Sequence, residues 1–204
     1  MKRTVLLALL CAATAFAAPA ASLVEGRIYL KNGTVVECTG NDRIKLPKKS
    51  GPLKLFRDAF RRTKTKEVFP VDSVVCWHPK TPEYLRKFIP AADPGWMWVY
   101  LETPYIRVCV WSKKGYGIDT DGGIQIWQKQ RTFSQSRTAY FLQKHGGDGF
   151  RDVGGANRNS KDAFRERVAR YVDDDPALAE RIRHSNASRS KTVLMLQDYN
   201  PTKR

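Results

Sequence analysis

The sequence predicts an α+β protein: an antiparallel, barrel-like or strongly curved sheet with a basic helical insert and a small C-terminal helical cap. Three observations predict it. Two β-prone runs, Gly26 to Lys31 and Thr34 to Cys38, flank Asn32-Gly33, and Asn-Gly between such runs is the strongest short-range hairpin signal because both residues tolerate positive φ. Ile106, Val108 and Val110 alternate with Arg107, Cys109 and Trp111, the two-residue period of a pleated strand. Phe164, Val168, Tyr171 and Val172 instead fall at i, i+4, i+7 and i+8, the stripe of a helix laid on a core.

The elements follow in chain order. Residues 1–20 open with Lys2 and Arg3, continue as the apolar run Val5 to Leu10, and end in the small-residue stretches Ala15-Phe16-Ala17 and Ala18-Pro19-Ala20. That is the pattern of a signal peptide, and it places the mature start at Ala18 or Ala21. The apolar part is shorter than the ~20 residues that span a bilayer, and no later segment of the mature chain reaches that length. Cys11 follows Leu10, where a lipoprotein site needs a small side chain. The expected location is the periplasm or the cell exterior.

Residues 21–158 read as a β-rich domain. Beyond the hairpin, β runs are expected at Arg43 to Leu46, Glu67 to His78, Met97 to Glu102, Ile106 to Ser112, Ile124 to Lys129 and Thr138 to Lys144, separated by Gly, Pro, Asp and Lys turns. Residues 159–204 read as helical. Ser160 is an N-cap, the acids Asp173-Asp174-Asp175 end the first helix, and Asp175-Pro176 opens a second that runs to about Arg183. A third element, Lys191 to Tyr199, fits a helix better than a strand.

The segments LKNGTVVEC (Leu30 to Cys38), YFLQKHG (Tyr140 to Gly146), FRERVARYVDDDPALAERI (Phe164 to Ile182) and MLQDYN (Met195 to Asn200) resemble those of uncharacterised exported proteins of Bacteroides-type bacteria. The resemblance implies an envelope location. It implies no activity, cofactor or binding residue.

Charge is the most informative compositional feature. The chain of 204 residues carries 36 Lys plus Arg against 20 Asp plus Glu, a formal +16, with 42% hydrophobic and 11% aromatic residues. Such a composition is globular, with a surface that attracts anions. Between Arg43 and Lys66 lie ten basic residues against the single acid Asp58. Leu53, Phe56 and Phe60 recur there at helical spacing after Gly51-Pro52, so an amphipathic helix is expected as an insert over about 47–66. Its apolar side either packs on the body or leaves the element at the surface. In the second case Lys48, Lys49, Lys54, Arg57, Arg61, Arg62, Lys64 and Lys66 meet an anionic envelope component: lipid headgroups, lipopolysaccharide phosphates or an acidic polysaccharide. Export disfavours nucleic acid as the partner.

Trp96, Trp98 and Tyr100 share one face of their expected strand. Burial on both faces is the ordinary reading of such a strand, and an open face with Trp96 and Trp98 would stack on sugar rings. Export also places Cys38, Cys76 and Cys109 in an oxidising compartment. They are either three buried apolar side chains or a Cys38–Cys76 bridge with one thiol left over.

No catalytic or metal signature emerges. Cys76 and His78 lie two apart on a strand, with Cβ atoms roughly 7 Å apart, too far for a nucleophile and its base. Asp72, four residues before Cys76, does not complete a triad. His145 and His184 lack ligand spacing. Asp119-Thr120-Asp121-Gly122-Gly123 lacks the distal acid of a calcium loop, and Gly146-Gly147-Asp148-Gly149 lacks the Lys-Ser/Thr of a phosphate loop. Both read as turns. The sequence therefore points to a non-enzymatic, cofactor-free binding module for an anionic or glycan ligand. A structural or protein-interaction module of the envelope is the alternative.

Overall fold

A computed structural model describes residues 23–46, 51–58, 64–65, 70–113, 115–118, 124–126, 138–147, 149–155 and 158–201. Residues 1–20, expected from the sequence to be a signal peptide, lie outside them. The sheet is built on β1 (Leu23–Leu30), which pairs along one edge with β2 (Val35–Cys38) and β3 (Arg43–Lys45). Next come β4 (Lys54–Phe56), β5 (Lys64–Thr65), β6 (Val71–His78), β7 (Thr81–Ile89), β8 (Met97–Glu102), β9 (Ile106–Ser112), β12 (Thr138–Lys144) and β13 (Arg151–Gly154). Their order across the sheet is β13-β12-β9-β8-β7-β6-β1-β3-β4-β5, and β10 (Tyr116–Ile118) and β11 (Ile124–Ile126) form a separate pair. Every pairing is antiparallel. The path runs from β13 to β5, and no pairing between these two closes a barrel among the described residues.

Three helices follow: α1 (Lys161–Tyr171), α2 (Pro176–His184) and α3 (Arg189–Leu194), the last continued by a 3-10 turn over Met195–Asp198. The caps are as the sequence predicts. Ser160 accepts from Ala163 N at 3.1 Å, and Asp175 accepts from Leu178 N at 3.1 Å with Pro176 in the first turn. Ser188 caps α3 in the same way. Side-chain acceptors are needed here because the first amides of a helix have no partner within it. The element after Lys191 is therefore helical.

The hairpin at Asn32-Gly33 forms with a different turn from the one expected. Only Gly33 takes a positive φ, 85°, as in longer hairpin connections closed by a left-handed glycine. Asn32 contributes its side-chain oxygen, which accepts from Thr34 N at 3.0 Å.

The largest correction concerns the basic insert. Over Lys54–Phe56 the chain is strand β4, paired with β3 through Ile44↔Leu55, and Leu53 and Leu55 are buried. An amphipathic helix over these residues is therefore overturned. Leu53 and Leu55 satisfy a two-residue period as well as Leu53 and Phe56 satisfy a helical one, and the open edge of β3 supplies backbone partners that a lone short helix lacks. Phe60, on which the helical spacing also rested, lies outside the described residues.

Three apolar clusters stabilise the layers. One gathers Val24, Ile28, Ile44, Val74, Cys76 and Phe88 under β1, β3, β6 and β7. Tyr116 closes it: its ring meets Phe88 edge-on at 4.8 Å, and its hydroxyl lies 2.8 Å from Val110 O and 3.0 Å from Trp96 O. The second seats Phe164, Val168, Val172, Leu178, Ile182 and Leu196 of the helical layer on Ile106, Val108, Leu142 and Val153. The third, holding Met97, Cys109, Ala139 and Phe141, is fed by the alternate side chains of the same strands. The alternation read in Ile106 to Trp111 is thus real, with Ile106 and Val108 under the helices and Cys109 in the other cluster.

Cys38, Cys76 and Cys109 are buried free thiols, so the Cys38–Cys76 bridge is not made. Gly26 stands opposite Cys38 on β2 and opposite Cys76 on β6. The two cysteines are consequently two strand spacings apart, about 9–10 Å between Cα atoms, against a ceiling of about 7 Å for a bridge. The tight packing here requires glycine, since a Cβ on Gly26 would lie 2.5 Å from Val75 O and 2.9 Å from the Ile44 side chain.

Two outcomes are expected. Gly26→Ala should destabilise the protein by about 1–3 kcal/mol in urea denaturation, because the clash is with backbone. Cys38, Cys76 and Cys109 should react with a thiol reagent only after unfolding, and a native disulfide linking Cys38 to Cys76 in a peptide map would contradict the register around Gly26.

Candidate functional site

The residues singled out in the sequence scatter. Lys48, Lys49, Arg61, Arg62 and Lys66 lie outside the described residues, and Lys64 is placed only as a backbone position opposite Phe56. Lys54 is exposed on β4. Arg57 meets an acid: its guanidinium donates to Asp42 Oδ2 at 2.6 Å while Asp58 N donates to Asp42 Oδ1 at 3.0 Å. These two hydrogen bonds hold the Asp42 carboxyl below its ordinary range.

The two tryptophans differ in their surroundings. Trp96 is 5% exposed and its indole N–H donates to Gly51 O at 2.9 Å, so it is a core anchor and not an open platform. Trp98 is half-buried, with the Arg86 guanidinium 5.3 Å from its ring and Tyr100 edge-on at 5.6 Å. Burial drives the Cys76 thiol far above its usual range. The thiolate a nucleophile needs is thereby suppressed. Among the described residues no group of three His, Cys, Asp or Glu side chains could hold a metal.

A site that the sequence did not reveal lies at the junction of sheet and helical layer. A groove of about 690 Å³ runs between α1 and β13, floored by the end of β12 and the following glycine turn. Among the described residues its cations are Lys144 from β12, Arg151 from β13, and Arg167 and Arg170 from α1, against one carboxylate, Asp152. Phe150 and Tyr171 supply its apolar wall. The position of α1 follows from its stripe: burying Phe164, Val168 and Val172 on Val153 and Leu142 leaves Arg167 and Arg170 exposed beside β13.

The groove's charges are unequally satisfied. Asp152 is fully engaged, accepting from Gly154 N at 2.7 Å and from Arg158 at 2.7 Å. Lys144 donates to Asp174 Oδ2 at 2.8 Å and lies 5.2 Å and 5.5 Å from the rings of Tyr171 and Tyr199. The Tyr199 hydroxyl donates to the same Asp174 oxygen at 2.8 Å. Burial opposes charge on Asp174, but the hydrogen bonds from Lys144 and Tyr199 outweigh it and keep the carboxyl below its ordinary value. Arg170 is only 3.5 Å from Glu166 across an exposed pair, a contact worth little in water. Arg151 and Arg167 meet no counter-charge among the described residues.

The sequence hid this site because its cations are spread over Lys144 to Arg170, interleaved with acids, so no run of charge marks it. Its one local trace is the i, i+3 pair Arg167 and Arg170 beside the apolar stripe of α1. No protein-family model, curated protein or solved structure matches the chain. The functional reading rests on the groove itself.

The Lys144–Asp174–Tyr199 contact should show a pH signature. A carboxyl held below its ordinary 3.8 binds its proton less readily when folded than when unfolded. The stability it adds is complete above about pH 5 and is lost as pH falls through the lowered value. Asp174→Asn should therefore be less stable than wild type near neutrality, with the gap closing on acidification in denaturation curves at stepped pH. A gap independent of pH would exclude the charged contact as its source.

Proposed function

We propose that the chain is a non-enzymatic, exported envelope module that holds an anionic ligand, with the α1–β13 groove as its principal seat. The observation that carries the reading is that Arg151 and Arg167 face a common groove without counter-charge among the described residues. Guanidinium groups left in this way attract carboxylates and phosphates, which they bind with paired donors. The excess positive charge of the chain, +16 overall, adds a long-range field that raises the local concentration of such ligands. The export pattern of residues 1–20 and the resemblance to exported Bacteroides-type proteins support placing this chemistry in the envelope. The Lys48–Lys66 segment contributes to the same field in this reading.

A structural or protein-interaction module is the second reading. It is favoured by Tyr84 and Leu85 on β7, which are 51% and 52% exposed on a strand whose pairing with β8 involves only Phe88 and Ile89. Large apolar side chains grouped on an unpaired strand edge are a usual mark of protein contact.

The two readings separate experimentally. Wild-type protein should be retained on anionic vesicles and released as salt screens the attraction, and Arg151→Gln with Arg167→Gln should lower retention severalfold, more than Lys54→Gln. Retention unaffected by the double substitution would remove the groove from the function. A stoichiometric co-purifying protein lost on Tyr84→Ser with Leu85→Ser would favour the second reading.

A further inference from the structure

We propose that the ligand of the α1–β13 groove is a phosphomonoester carried on a ring-bearing body, such as a sugar phosphate, bound as its dianion. The inference rests on the anion-binding reading above and narrows it to one chemical class. Arg167 and Arg170 are three residues apart on α1, so their Cβ atoms are about 5–6 Å apart on one side of the helix, and Arg151 lines the same groove from β13. Three guanidinium groups from two elements thus border one cavity.

Charge decides between the candidate anions. Lys144 is neutralised by Asp174, and Asp152 by Arg158. Among the described residues the unanswered charge is that of Arg151 and Arg167, with Arg170 weakly shared with Glu166. A carboxylate brings one negative charge and two oxygens. A phosphomonoester above its second pKa of about 6 brings nearly two charges and three strong acceptor oxygens. Only the second matches three guanidinium groups.

Shape supplies the rest. The groove's ~690 Å³ far exceeds a bare phosphate and falls within the ~300–1,000 Å³ of small-molecule sites. Phe150 and Tyr171 offer apolar surface beside the arginines, the arrangement that accepts a sugar ring next to its phosphate. The turn before β13 is lined by Gly147 and Gly149, and a Cβ at Gly149 would meet no atom within 4 Å. The rim is therefore open where a ligand would enter.

The pH response belongs to the ligand. The groups bordering the groove are Lys144 on β12, Arg151 and Asp152 on β13, and Arg167, Arg170 and Tyr171 on α1, with Asp174 behind Lys144. Tyr199 completes that shell from the C-terminal turn. None is a histidine. His145, adjacent to Lys144 and exposed, is the imidazole next to this shell among the described residues.

Calorimetric titration of the full chain at low salt tests this with glucose 6-phosphate, inorganic phosphate, glucuronate and glucose. Glucose 6-phosphate should bind at least tenfold more tightly than glucuronate and more tightly than inorganic phosphate, and glucose should not bind. Affinity for glucose 6-phosphate should fall severalfold between about pH 7.5 and pH 5.5, with the same fall in His145→Gln. Arg151→Gln with Arg167→Gln should weaken it at least tenfold, and Gly149→Leu should weaken it by obstruction while leaving all charges in place. Circular dichroism verifies that each variant is folded.

Equal affinity for glucuronate, lost in the double variant, would overturn the phosphomonoester while leaving anion binding intact. Equal affinity for inorganic phosphate would overturn the ring contact. No anion bound by wild type at low salt would overturn both this inference and the reading beneath it. Retention on phosphatidic-acid vesicles that glucose 6-phosphate displaces would support the inference with a lipid headgroup as the source. Tight glucose 6-phosphate binding without vesicle retention would support it with a soluble source.

Discussion

The candidate site depends on one packing constraint: α1 must bury Phe164, Val168 and Val172 on the side chains that Ile106, Val108, Leu142 and Val153 raise from β9, β12 and β13. A helix of 11 residues has little stability of its own in water, so this apolar contact, and not intrinsic propensity, fixes its position. Once the stripe is buried, the helical period leaves Arg167 and Arg170 no place but the rim beside Arg151. The groove is the space between a strand edge and a helix whose other face is committed. Its electrostatics follow from hydrophobic packing.

The acidic turn after α1 locks this arrangement. Asp173-Asp174-Asp175 ends one helix and begins another, and two of its members do further work. Asp174 joins Lys144 of β12 to Tyr199 near the C-terminus, while Asp175 caps α2 and also accepts from Asn200 N at 3.1 Å. Three segments far apart in the chain thus meet at two carboxylates. The same contacts remove Lys144 from the pool of unanswered charge, which leaves the arginines to define the groove. This division of labour explains how a strongly basic chain presents a local and directional attraction instead of a uniform one.

Elsewhere the sheet shows how close packing decides chemistry. Gly26 is flanked by Cys38 and Cys76 on opposite neighbouring strands, and the missing side chain leaves room for the Val75 carbonyl of β6 and the Ile44 side chain of β3. The two thiols are buried on either side of β1, two strand spacings apart across the sheet and too far to join. Burial raises Cys76 well above its usual pKa and pushes Cys109 up to about 12. Both stay protonated and apolar in character. The three buried thiols are protected by inaccessibility, not by pairing.

Much of the fold is legible in the residues taken locally. The hairpin at Asn32-Gly33, the strand alternation of Ile106 to Trp111, the caps at Ser160 and Asp175 and the stripe of α1 rest on contacts within a few residues, where periodicity and turn preference act. β7 was hidden because Thr81-Pro82-Glu83 carries a proline and no apolar alternation. Lys54–Phe56 resolved as strand because the edge of β3 outbid a short helix for its hydrogen bonds. The sequence determined by itself the helix pair, the antiparallel character of the sheet and the excess of positive charge. Tertiary structure alone decided which charges remain unanswered, because neutralisation depends on partners brought together across the sheet: Arg57 met Asp42, Lys144 met Asp174, and Arg151 and Arg167 were left facing a groove.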